Sequence, residues 1–148
     1  MFFLQKSLCF IICLLWFSLG FAGINNPLII NFSKTQYGAA NKNWSISEDE
    51  HGILYFGNDI GLLEFDGIEW KLNKLPKAEV VRSVYVVSNN EIYTGGYEEF
   101  GKWSRQPDGE LTYTSLSKEL PTDNWQNDDI WRILPQGESI YFQSFSGI

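Results

Sequence analysis

The stretch Tyr55-Phe56-Gly57, which runs on to Gly61, occurs twice more in modified form in this chain of 148 residues. The other copies are Tyr93-Thr94-Gly95, before Gly101, and Tyr141-Phe142-Gln143, before Gly147. Successive tyrosines are 38 residues apart from position 55 to 93 and 48 apart from 93 to 141. Self-similarity at about 40 to 50 residues is typical of propeller blades. The repeat therefore decides the predicted fold.

Short strand patterns joined by polar turns surround each copy, and helix signals are almost absent. The turns contain Asp, Asn and Gly, which suit tight hairpins between antiparallel strands. We predict an all-β chain, a β-propeller fragment of about two and a half four-stranded blades. The blades span residues 44–74, 80–116 and 129–148, and the last is incomplete. Closed propellers have roughly four to eight blades, so we expect this chain to be the front part of a longer protein.

The first 22 residues have the pattern of a secretory signal peptide. Lys6 precedes an apolar run from Leu8 to Ala22, and small residues lie near its end. The alternative is a retained membrane anchor, but no cluster of Lys or Arg follows the run to stop transfer. A leading segment, residues 23–43, comes next, and we predict a strand within it from Pro27 to Phe32.

Cysteine usage and charge narrow the classes of function. Cys9 and Cys13 both lie in the signal segment, so the mature chain has no disulfide and depends on its apolar core. Removal of Lys6 leaves ten basic and eighteen acidic residues. This acidic balance disfavours contact with nucleic acid, which requires a basic surface.

Several short motifs, taken in order, resemble the start of the two-component-regulator propeller sensors that are common in Bacteroidetes. The resemblance covers nearly all of the mature chain, but the chain is much shorter than such proteins. The matching motifs are residues 37–44 (YGAANKNW), 52–58 (GILYFGN), 61–67 (GLLEFDG), Trp70, 81–83 (VRS), 92–96 (IYTGG), 99–101 (EFG) and 129–131 (DIW).

The resemblance implies an exported, periplasmic sensor that recognises a ligand or a partner and has no catalytic activity of its own. In that family a triple-tyrosine domain, a membrane helix and a cytoplasmic output follow the propeller. The output is a LuxR-type helix-turn-helix or a histidine kinase. The expected partners are therefore an extracytoplasmic ligand, the remaining blades and the triple-tyrosine domain, with homodimerisation of the full-length protein as a further expectation.

The sequence offers little catalytic or metal-binding chemistry. His51 is the only histidine and lies in a turn, which disfavours catalytic triads and zinc sites. We predict no cofactor and no metal, since Asp123, Asp128 and Asp129 do not have the spacing of a calcium loop. Carboxylates are nevertheless plentiful, and a glycosidase needs two of them. The alternative function is therefore a secreted carbohydrate-active propeller enzyme, a glycosidase or a lyase. A third alternative is an adhesion or scaffold propeller.

Tryptophans and one arginine are the candidate ligand-binding residues. Trp44 and Trp131 fall at equivalent first-strand positions, which favours a packing role. Trp125 lies in a polar loop and is the best candidate for an exposed ring that stacks on a sugar of a glycan ligand. Arg82, in the first strand of the second blade, is the candidate for binding an anionic ligand in a central channel. A buried ion pair with a neighbouring carboxylate is the other interpretation of Arg82.

Overall fold

A computed structural model describes residues 27–77, 80–121 and 127–148. The strands of these residues form antiparallel sheets, which confirms the predicted all-β class. Two sheets have four strands, β1–β4 and β5–β8, and a third has two, β9 and β10. The bounds are β1 Asn43–Glu48, β2 Leu54–Asn58, β3 Gly61–Phe65, β4 Trp70–Asn73, β5 Val81–Ser88, β6 Glu91–Gly96, β7 Glu99–Arg105, β8 Leu111–Ser115, β9 Arg132–Gln136 and β10 Ser139–Gln143.

The leading segment differs from its prediction. Residues 27–33 lie outside any helix or strand, so the strand expected from Pro27 to Phe32 is not formed. Apolar sequence alone cannot make a strand, because its backbone groups need a neighbouring strand to bond. A single helical turn, α1 (Lys34–Tyr37), follows and ends at Gly38. The signal segment lies outside the described residues, and no helix within the described ranges has the length and apolarity to cross a membrane.

Turn chemistry explains why the chain reverses where it does. Between β3 and β4, one carboxylate oxygen of Asp66 accepts hydrogen bonds from the backbone N–H groups of Ile68 and Glu69, at 2.8 and 2.7 Å. Gly67, between Asp66 and Ile68, has a φ of 95°, a conformation that favours glycine. These bonds fix a tight turn, and β4 then pairs with β3 residue by residue. The Asp-Gly turn predicted from the sequence is confirmed.

The cross-strand register makes the three repeat tyrosines equivalent. Each lies in the second strand of its sheet and faces a first-strand residue; the pairs are Tyr55 with Ser47, Tyr93 with Tyr85 and Tyr141 with Leu134. We call the side of each sheet that carries this tyrosine the back face, and the other side the front face. The back face of β1–β4 packs on the front face of β5–β8, and the back face of β5–β8 packs on β9–β10.

Glycines allow the sheets to approach closely. A Cβ atom on Gly57 would lie 2.7 Å from the Val81 carbonyl oxygen of the next sheet. A Cβ atom on Gly95 would lie 2.5 Å from Cγ2 of Ile130, in the segment before β9. Around the first contact lies the apolar core, whose buried members are Tyr55, Leu62, Leu75, Val81, Ile92 and Trp103. The first two repeats thus place a glycine two residues after the tyrosine, where the next segment of the chain approaches too closely for a side chain.

A polar network also joins the first two sheets. Nη2 of Arg105 lies 2.7 Å from Oε1 of Glu64 and donates to the Tyr55 hydroxyl oxygen at 2.8 Å. The Tyr55 hydroxyl donates in turn to Asp49 at 3.2 Å. The side chains of Arg105 and Glu64 are only 14% and 10% exposed. Burial, ahead of the negative charge of Glu64, raises the pKa of Tyr55 and keeps its hydroxyl protonated as a donor.

Candidate functional site

The starts of the first strands bring three equivalent residues together. A β-bulge interrupts the register of β1 between Asn43 and Ser45, and another interrupts β5 between Val81 and Ser83. The extra residues are Trp44 and Arg82, and Trp131 has the same place before β9. A bulge turns one side chain away from the regular alternation of a strand and is often found beside functional sites. The side chains of Trp44, Arg82 and Trp131 therefore depart from the regular alternation of their strands and meet one another.

Aromatic and cationic groups alternate in this cluster. Cζ of Arg82 lies 3.8 Å from the centroid of the Trp44 ring and 5.3 Å from that of Trp131. The two indole rings meet edge to face with centroids 6.0 Å apart. Nζ of Lys42 lies 4.2 Å from the Trp44 centroid. A cation at this distance from an indole is attracted by the quadrupole of the ring. We call these four residues the Trp–Arg cluster.

Two carboxylates border the Trp–Arg cluster. Oδ1 of Asp129 accepts from Nε of Arg82 at 3.1 Å, and both side chains are less than one-fifth exposed. Oδ1 of Asp59 accepts from the Trp44 indole N–H at 2.7 Å. Two cations and two carboxylates thus balance the formal charge of the site. Because Asp129 binds Nε, the terminal nitrogens of Arg82 remain for other acceptors.

Two hydrogen-bond donors in the cluster have no acceptor. Nη1 of Arg82 and Nε1 of Trp131 are both buried and lack a hydrogen-bond partner among the described residues. A buried donor without an acceptor costs about 1–3 kcal/mol. An incoming oxygen atom, from a carboxylate or a hydroxyl, would relieve this cost. The chemistry of the site therefore suits a ligand that supplies acceptor oxygens next to apolar ring faces.

The two predicted ligand-binding residues have different outcomes. Trp125 lies outside the described residues. Arg82 makes the ion pair that was one of its two interpretations, with Asp129 as the carboxylate. Its role in binding an anion stays a prediction.

Sequence reasoning missed Lys42 and Asp59, and it did not bring Arg82 next to the two tryptophans. A signal was present in the sequence. The segments at the starts of the three first strands read Trp44-Ser-Ile, Arg82-Ser-Val and Trp131-Arg-Ile, so aligning them places Arg82 at the tryptophan position.

Asp123 lies outside the described residues, and the carboxylates of Asp49 and Asp128 take part in local hydrogen bonds. Burial opposes the ionisation of Asp49, but hydrogen bonds from the N–H groups of Ile53 and His51 outweigh it and lower the pKa of this carboxyl. Asp128 accepts from the hydroxyl and the N–H of Ser146, and these bonds lower its pKa.

Glu99 is mostly buried, and its Oε1 accepts from three hydroxyls, those of Tyr113, Ser115 and Ser117. These bonds hold Glu99 against β8 and the short helical turn after it.

Within the described residues, no group of three or more His, Cys, Asp or Glu side chains could hold a metal ion. The Trp–Arg cluster, with unpaired buried donors beside two indole rings, is the candidate site that the geometry favours. Comparisons of the chain with protein-family models, with curated proteins and with solved structures gave no match.

Proposed function

We propose that this chain is the ligand-recognition region of an exported sensory protein and that its sheets are the blades of a propeller. The observation that carries the proposal is the Trp–Arg cluster. Face-to-face sheets lie about 10 Å apart, so parallel stacking would separate the first and third sheets by about 20 Å. The Trp44 and Trp131 rings, which come from those sheets, are 6.0 Å apart. The short distance between these rings, which lie at the first strands, supports an arrangement in which the blades surround a common axis.

The proposed ligand is a glycan or a related molecule with acceptor oxygens. The partly exposed Trp131 ring offers apolar surface of the kind that sugars stack on. Arg82 and Lys42, which lie over the Trp44 ring, supply donors for hydroxyl or carboxylate oxygens. The chain carries out no reaction in this proposal. In the complete sensor, ligand binding at this site changes the activity of a transcriptional output on the other side of the membrane, as the resemblance to the regulator propellers implies.

Removal of the Arg82 charge is expected to weaken ligand binding. The test is an array of neutral and uronic-acid-containing oligosaccharides, probed with the chain and with Arg82→Met. We expect the chain to bind members of the array and Arg82→Met to bind them at least about 10-fold more weakly, equivalent to about 1.4 kcal/mol. Arg132→Met is the matched control, because Arg132 is exposed on β9. Absence of binding by the chain, or equal binding by both variants, would refute the proposal.

Export is expected to remove the first 22 residues. The apolar run ends in small residues with no basic cluster after it, so we expect a periplasmic protein that begins close to Gly23. N-terminal sequencing of the periplasmic and membrane fractions measures this directly. Retention of Met1 in the membrane fraction would show an anchor instead.

A further inference from the structure

We propose that the Trp–Arg cluster selects neutral sugars over acidic ones, because it binds neighbouring hydroxyl groups of one sugar ring between Arg82 and Asp129. This selection rests on the proposed function and deepens it, since it names the class of glycan that the site accepts. Asp129 is the residue that sets the choice.

Two carboxylate oxygens at the border of the Trp–Arg cluster are open to a ligand. Asp129 uses Oδ1 to accept from Nε of Arg82, and Asp59 uses Oδ1 to accept from the indole N–H of Trp44. Among the described residues, neither Oδ2 atom receives a hydrogen bond, and neither is a buried atom without a partner. The cluster therefore offers acceptors to a ligand as well as the unpaired donors of Arg82 and Trp131.

A sugar hydroxyl matches this mixture of donors and acceptors better than a carboxylate does. A hydroxyl donates one hydrogen bond and also accepts, whereas an ionised carboxylate only accepts. Because Arg82 and Asp129 form one ion pair, a hydroxyl that accepts from the guanidinium can donate to the carboxylate beside it. A neighbouring hydroxyl of the same ring can accept from the other terminal nitrogen. A ligand carboxylate in this place would leave Oδ2 of Asp129 facing a second acceptor.

The charges around Arg82 also oppose an acidic ligand. Asp129 already neutralises the guanidinium, and both side chains are mostly buried, so little water screens a second negative charge that is brought to the pair. The segments that meet at Asp129 carry two further carboxylates, those of Glu98 and Asp128, whose backbones are joined by a hydrogen bond of 2.9 Å. Lys42 is exposed, so solvent weakens the attraction that it exerts on an anion. Repulsion by the carboxylates therefore outweighs the attraction of the two cations.

Tetrasaccharide pairs that differ only at the exocyclic carbon of each sugar measure this selection. In the gluco, manno and galacto series, one member carries hydroxymethyl groups and the other carboxylates, and the methyl ester of each acid is its uncharged counterpart. Isothermal titration calorimetry gives the affinity of the chain for each probe. Asp129→Asn removes the negative charge but keeps an oxygen that can accept from Nε of Arg82. Glu138→Gln is the matched control, since Glu138 is exposed in the turn between β9 and β10. Circular dichroism checks that each variant is folded.

We expect the chain to bind the neutral member of at least one pair about 10-fold more tightly than the acid, because like charges placed together suppress the wrong ligand. The methyl ester should recover most of the difference. Asp129→Asn should weaken binding of the neutral sugar and strengthen binding of the acid, whereas Glu138→Gln should change neither affinity.

The possible failures are distinguishable. Binding of the acid that equals or exceeds binding of the neutral sugar would overturn the selection and leave glycan recognition standing. A folded Asp129→Asn variant with the same preference as the chain would also overturn it, since Asp129 would then not set the choice. If Asp129→Asn does not fold, the affinities of the chain for the acid and its methyl ester decide the matter alone. Absence of binding to every probe would refute the selection together with the proposed function.

Discussion

Replacement of Arg105 by Met is expected to lower the free energy of unfolding by about 3–5 kcal/mol, since it breaks a buried ion pair and leaves one charge behind. Glu64 is 10% exposed, and its Oε2 already lacks a hydrogen-bond partner among the described residues. Without the guanidinium, the carboxylate loses its ion-pair partner, and the cross-strand neighbour Lys71 is already paired with Glu110. The measurement is chemical denaturation followed by tryptophan fluorescence, at a concentration where the protein is monomeric.

Two controls test that the loss comes from burial of an unpaired charge. Lys71→Met removes the exposed ion pair with Glu110, whose side chains are 40% and 63% exposed, and should cost less than about 1 kcal/mol. The double variant Glu64→Met/Arg105→Met leaves no isolated charge and should recover much of the stability. If Arg105→Met costs no more than Lys71→Met, the network between the sheets contributes little.

Trp103→Ala is the second substitution expected to have a large effect, with a loss of about 3–5 kcal/mol. The Trp103 side chain is 2% exposed and lies in the core between the first two sheets. Its indole N–H donates to Oγ1 of Thr94 at 2.9 Å, and its ring packs on Tyr113 with centroids 4.9 Å apart. Truncation leaves a cavity at the centre of this core and removes the donor for Thr94.

Trp44→Ala is the comparison for Trp103→Ala. Trp44 is only partly buried, and its neighbours Lys42 and Arg82 can relax towards solvent, so we expect a smaller loss of stability. Thermal unfolding of the two variants measures the difference. An equal loss in both would mean that the Trp–Arg cluster is a structural core and would weaken its assignment as a binding site.

Much of the fold could be predicted from the sequence because local chemistry fixes it. The Asp66-Gly67 turn and the Tyr-x-Gly strands need only their neighbours in the chain, and both are found as expected. The predicted strand from Pro27 to Phe32 is wrong, because residues with strand propensity form a strand only where a neighbouring strand can pair with them. The first strand of the third sheet begins at Arg132, whereas the predicted third blade begins at Asp129. The backbone of Asp129 makes an isolated bridge to Tyr97 instead of joining that strand.

The candidate site was harder to predict, because it depends on features that spacing does not encode. Arg82 was recognised as a candidate, but its contact with Trp44 needs a bulge in each strand and the convergence of three sheets. Neither follows from a pattern within one strand. The carboxylates Asp59 and Asp129 lie in separate connections and meet the Trp–Arg cluster only in the folded chain.

The glycines two residues after Tyr55 and Tyr93 have a further consequence, for the substitutions that each repeat accepts. A Cβ atom on Gly57 would meet the Val81 carbonyl oxygen, which belongs to the backbone, so a side chain there would have to push β2 and β5 apart. A Cβ atom on Gly95 would meet the side chain of Ile130 instead. The third repeat has Gln143 at the same place. Since that hairpin forms with a side chain at this position, the restriction to glycine comes from the contact with the next segment and not from the hairpin itself.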